Sequence, residues 1–170
     1  MAIEALEKPK GKWCPHCQAG IGCSIYESRP AECQTFHCGY LFDAGLGPEW
    51  KPSTCKIVLV FETEANRLVA HVDPSRADVW RQEPFFAALK GWSANAQRNG
   101  GQVLVTIGQR TFAILPDREI DLGLVDKSTV VVTTARATPR GPRMDVVALS
   151  ADDPRLAEIA KRQSPDRDRT

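Results

Sequence analysis

Nothing in the 170 residues approaches the roughly 18 to 20 consecutive apolar residues that cross a bilayer, and the opening MAIEALEKPKGKW holds no apolar run of signal-peptide length. A soluble, cytoplasmic protein with no membrane partner is expected. Net charge is missing as well: 22 Lys plus Arg stand against 21 Asp plus Glu, a formal +1, so there is no general attraction to phosphate backbones or anionic lipid. Nucleic acid is not an expected partner. The chain also has no internal repeat, no glycine-rich phosphate loop, no nucleophile elbow and no carboxylate pair at a suggestive spacing. No catalytic residue can be nominated, and the leaning is away from an enzyme.

The first 55 residues have little hydrophobic periodicity. What they do have is cysteine. Cys14, Cys17, Cys23, Cys33 and Cys38 lie within 25 residues, and Cys55 follows. In a reducing compartment thiols at this density are not structural disulfides, and they point to a metal. Cys55 opens a strand and is expected to be a small buried residue outside the group.

Cys14-Pro-His-Cys17 can be an exchanging dithiol or one half of a metal knuckle. The dithiol requires a strand before it and a helix after it, so that the helix N-terminus stabilises the thiolate. KPKGKW precedes it and QAGIG follows, and Gly20 and Gly22 argue against a helix. A knuckle requires a second pair further along the chain. Cys33 and Cys38 supply one after a 15-residue gap, so spacing nominates Cys14, Cys17, Cys33 and Cys38. Cys23 is then an extra thiolate or a packing residue. His16 and His37 are extra nitrogen donors read as non-ligands.

The stretch GCSIYESRPAECQTFHCGYL adds a further indication. Cys23, Ile25-Tyr26, Arg29-Pro30 and Cys33, continued by Phe36 and Cys38 and preceded by Cys14 and Cys17, resemble the YkgJ-type CxxCxxCC proteins, which are zinc- or iron-chelating or iron–sulfur proteins. The resemblance covers roughly residues 13–42, lacks the adjacent Cys-Cys of longer members, and implies that Cys23 and Cys33 are primary ligands. The candidate set is therefore Cys14, Cys17, Cys23 and Cys33, with Cys38 as the fifth. Around it, Arg29 is expected to donate to a thiolate or to a backbone carbonyl, offsetting part of the thiolate charge, and Pro30 to turn the chain. Tyr26, Phe36, Tyr40 and Leu41 are expected to shield the site.

Beyond Cys55 the pattern is that of a folded body. KIVLVFE (56–62) and RLVAHV (67–72) flank TEAN as a hairpin, and QVLVTI and RTFAIL flank Gly108-Gln109 as a two-residue turn with glycine first. TVVVTTAR (129–136) and MDVVAL (144–149) form a third pair. Asp73 or Ser75 is expected to cap a helix over RADVWRQE. After Pro84, Phe85, Leu89, Trp92 and Ala96 recur at helical spacing until Asn99-Gly100-Gly101.

Trp80, Phe85, Phe86 and Trp92 are read as core, His71 as a structural histidine, and Arg136, Arg140 and Arg143 as a solvated loop rather than a patch for an acidic partner. The expected architecture is α+β: an irregular cysteine-rich metal module (1–54) packed on a mainly antiparallel sheet with one principal helix (55–150), then a short helix and a frayed tail (151–170). The expected function is zinc or iron binding without evident catalysis. An iron–sulfur redox or sensor protein, and a protein-interaction module with a structural zinc, are the alternatives.

Overall fold

The computed structural model describes residues 3–9, 14–18, 21–36, 38–139 and 141–163. In chain order its elements are β1 (Cys17–Gln18), β2 (Gly22–Cys23), α1 (Ala31–Thr35), α2 (Gly39–Phe42), α3 (Pro52–Cys55), β3 (Ile57–Glu62) and β4 (Arg67–Val72). Then follow α4 (Phe85–Arg98), β5 (Gln102–Ile107), β6 (Arg110–Ile114), β7 (Glu119–Leu124), β8 (Thr129–Thr138), β9 (Gly141–Ser150) and α5 (Arg155–Gln163). The α+β expectation is borne out, with mostly antiparallel pairing and one main helix. Among the described residues no helix is long and apolar enough to cross a membrane.

The β-branched run of β3 and the alternation of β4 pair them antiparallel from Ile57↔Val72 to Glu62↔Arg67, across the turn at 63–66. β5 and β6 close over Gly108-Gln109, where Ile107 pairs with Arg110 and Gly108 takes a positive φ of 61°. That conformation suits glycine at the first position of such a turn. One pairing departs from the expectation: β4 and β5 run parallel. Parallel neighbours need a long crossover, and residues 73–101, with α4, supply it. β7 extends the sheet beyond β6, giving the order β3-β4-β5-β6-β7, while β8 and β9 form a separate hairpin.

The helix expected over RADVWRQE is instead two single 3-10 turns, Pro74–Arg76 and Val79–Arg81. Asp73 accepts from the Ser75 amide, as a cap should. Pro84 disfavours helical backbone at the residue before it, so α4 starts afresh at Phe85.

Each face of the sheet has its own core. On one, Phe85 and Leu89 of α4 are buried with Trp80, Ile57, Val103 and Phe112, and Trp92 and Ala96 pack on them. The Ser93 hydroxyl, also buried, donates to the Ile114 carbonyl and ties helix to sheet. On the other face, Val146 of β9 and Val131 of β8 rest on Val69, Leu104 and Ala113.

The first core continues across residue 54. Trp50 is buried edge-on to Phe85, with ring centroids 4.8 Å apart, and lies against Trp92 at 4.9 Å. The same stretch covers the free edge of β3. The Asp73 amide bonds to the Lys56 carbonyl, which directs the backbone groups of Val58 and Val60 toward β4 and those of Ile57, Leu59 and Phe61 outward. Cys55 Sγ accepts from the Ile57 amide at 3.3 Å and donates to the Ile57 carbonyl at 3.4 Å. At Leu59, α2 approaches so closely that a Cβ on Gly39 would lie 3.1 Å from the Leu59 Cβ. Covering an edge in this way blocks pairing with another chain.

Candidate metal centre

Cys14-Pro-His-Cys17 is a tight turn closed by the Cys17 amide on the Cys14 carbonyl at 3.0 Å. The chain then enters a minimal hairpin. β1 and β2 pair in the register Cys17↔Cys23 and Gln18↔Gly22, extended by the Ser24 amide on the His16 carbonyl at 2.8 Å. Directly opposed residues of an antiparallel pair project from the same face with Cβ atoms about 4.5 to 5.5 Å apart. Cys17 and Cys23 therefore face one another. Gly22 has a φ of 131°, which a residue with a side chain rarely adopts.

The loop that follows is held by Arg29. Its Nη1 donates to the Tyr26 carbonyl at 2.6 Å, its guanidinium carbon sits 3.8 Å from the centre of the Tyr26 ring, and its own carbonyl accepts from Gln34 Nε2. Of the two hydrogen-bond partners expected of Arg29, the backbone carbonyl is the one observed. Pro30 opens α1 and its carbonyl accepts the Cys33 amide. Burial pushes the Cys33 thiol up, the neighbouring Cys14 and Cys23 thiols and Glu32 add to this, and Arg29 opposes it. Cys33 thus senses Cys14 and Cys23, and Cys23 faces Cys17.

All six cysteines are free thiols. Among the described residues, however, no group of three or more His, Cys, Asp or Glu side chains is arranged to grip an ion. Cys17 and Cys23 are opposed across the hairpin, and Cys14 and Cys23 act on Cys33, without a closed cage among the described residues. As donor chemistry they fit a thiophilic divalent ion.

Cys38 is buried where α2 begins, and it contributes to the field at Cys55. Burial pushes the Cys55 thiol up, the Ile57 backbone pulls against that, and Cys38 adds a small push. His16 lends its carbonyl to the hairpin ladder. His37 lies outside the described residues. Of the aromatic shield, Tyr26 and Leu41 are largely exposed, Phe36 is half-buried, and Tyr40 packs on the body core.

His71 Nδ1 and the Thr106 hydroxyl share a 2.7 Å hydrogen bond on the sheet, in keeping with a structural role. Arg143 pairs with Asp117, while Arg140 and the side chain of Arg136 lie outside the described residues. Sequence reasoning missed the β1–β2 hairpin, although Gly20 and Gly22 were available as turn signals as well as helix breakers. No protein family, curated protein or solved structure matches the chain.

Proposed function

We propose that this chain is a metal-binding protein whose N-terminal unit takes zinc or iron through Cys14, Cys17, Cys23 and Cys33. The observation that supports the reading is the combination of local order with no interior. No described residue from 14 to 36 is buried, yet those residues form a turn, a hairpin and a helix, with Cys17 opposed to Cys23 and Cys33 within electrostatic reach of Cys14 and Cys23. Ordering costs about 1 to 2 kcal/mol of backbone entropy per residue. A segment without buried apolar surface cannot offset that by the hydrophobic effect. A structural metal in a thiolate site contributes on the order of 10 kcal/mol or more toward that cost. The resemblance to the YkgJ-type proteins rests on Cys23, Arg29-Pro30 and Cys33 and supports the same positions.

When bound, the ion supplies a cross-link between the turn, the hairpin and α1. The chain's own residues set its surroundings. Arg29 organises the 24–30 loop and carries a positive charge toward Cys33, which tempers the repulsion among thiolates.

The experiment is elemental analysis with limited proteolysis on Cys14→Ser and Cys33→Ser beside the parent, using protein prepared without oxygen. Loss of stoichiometric metal and faster cleavage within 13–42 are expected in both variants, with the sheet and α4 retained. Cys38→Ser should keep its metal. Equal metal and equal protection in Cys14→Ser, Cys33→Ser and the parent would rule the site out. A visible charge-transfer absorption that disappears with the metal would replace the single ion by an iron–sulfur cluster on the same thiols.

A further inference from the structure

On the face of the sheet away from α4, the approach to β8 does not lie flush against the strands. A cleft of about 410 Å³ separates them, within the range of small-molecule sites. Val69, Leu104, Val125 and Val131 give it an apolar portion, and the Thr106 and Thr111 hydroxyls that reach it are turned to protein partners, His71 and the Gln109 carbonyl.

The charges in the cleft are unevenly engaged. Glu62 accepts from Arg67 Nε at 2.6 Å. Asp126 accepts from the Ser128 amide and from the Ser128 and Thr129 hydroxyls. Each carboxylate thus has one oxygen engaged by the fold. Arg67 is paired through its Nε alone, so its two terminal nitrogens have no partner among the described residues, and neither has Lys127 Nζ. Arg67 is moreover half-buried, with 28% of its side chain accessible. Spare cationic donors beside a hydrocarbon floor suit an anion that carries an apolar body.

We propose that this cleft binds a small carboxylic acid with a short apolar chain, its carboxylate held by Arg67 and Lys127 and its chain laid on Val69, Leu104 and Val131. The site is independent of the cysteines.

Sodium octanoate is the probe, titrated calorimetrically into the full chain at low salt. Saturable binding to one site is expected. Arg67→Gln and Lys127→Gln should each weaken it about tenfold, the usual worth of a hydrogen bond to a charged group. Octan-1-ol, which has the chain without the charge, should bind about tenfold more weakly than octanoate for the same reason. Lys127→Gln leaves the Arg67–Glu62 pair intact and so decides the matter if the Arg67 variant misfolds. Cys14→Ser should bind octanoate as the parent does, which separates this proposal from the metal reading. Ile159→Ala, in a separate cavity of about 520 Å³ beside Met144 and Gly101, should also bind normally. The proposal is overturned by no saturable heat, by octanol matching octanoate, or by normal binding in Lys127→Gln.

Discussion

Two glycines show how single residues set what the chain can tolerate. Gly39 lets α2 come down on β3. Gly101 is tighter: a Cβ there would lie 2.8 Å from the backbone carbonyl of Asn66, while its amide is bound to the Ala96 carbonyl at the end of α4. A carbonyl held in the β4 turn cannot rotate aside as a side-chain tip would, so one strand or the other must shift. Gly101→Ala is expected to destabilise the protein by about 1 to 3 kcal/mol, the usual cost of forcing atoms into a packed interior. Urea titration checks this, with an unchanged midpoint as the contrary result. The thiols teach a different lesson at this scale. Cys55 and Cys23 are the same residue type in the same half of the chain, but one is 3% exposed and fixed to Ile57 while the other stands in solvent opposite Cys17.

The readable elements were those with a strong local pattern: β3 and β4 from their β-branched runs, the β5–β6 hairpin from Gly108, and α4 from its apolar stripe. β7 was not readable, because Asp121 and Gly123 interrupt EIDLGL and neither favours a strand. It is held from outside instead. Arg81 donates to Glu119 at 2.7 Å and to Asp78 at 2.7 Å, with its guanidinium over Trp80 and Phe112, and Arg110 pairs with Asp121. The Glu119 contact is the main reason the Arg81 guanidinium holds its proton more firmly than usual. Both partners of the Arg81–Glu119 pair are about one-third exposed, so solvent screens it. Glu119→Gln should therefore cost only about 0.5 to 1 kcal/mol. The difference between variant and parent should shrink in molar salt, as measured by denaturant midpoints at low and high ionic strength. A loss that salt leaves untouched would mean β7 is fixed by packing instead. The parallel β4–β5 pair was equally hidden, since which strand a crossover returns to is not a local property. The opposition of Cys17 to Cys23 was hidden for a related reason: strands of two residues carry no periodicity. The cleft joins Arg67 to Lys127 across most of the body, and no spacing rule links them.

Across the whole molecule, the segment between Cys38 and Cys55 belongs to the body as much as to the cysteine unit, because Trp50 and Cys55 sit in the main core and α2 lies on β3. The body's self-sufficiency therefore has a condition attached. A chain begun at Lys56 would keep every strand of the five-stranded sheet, yet Leu59 and Ile57 would present bare amides and carbonyls along a hydrophobic border. Such a border is a template for a neighbour's strand. The truncated protein is expected to retain its β-type circular dichroism and to grow with concentration, as followed by light scattering, whereas the full chain stays at one size. A monomeric truncated chain would show that the border protects itself. If it grows, residues 38–55 are in effect a built-in chaperone for β3, and damage to this stretch would be felt first as loss of solubility, before any loss of fold.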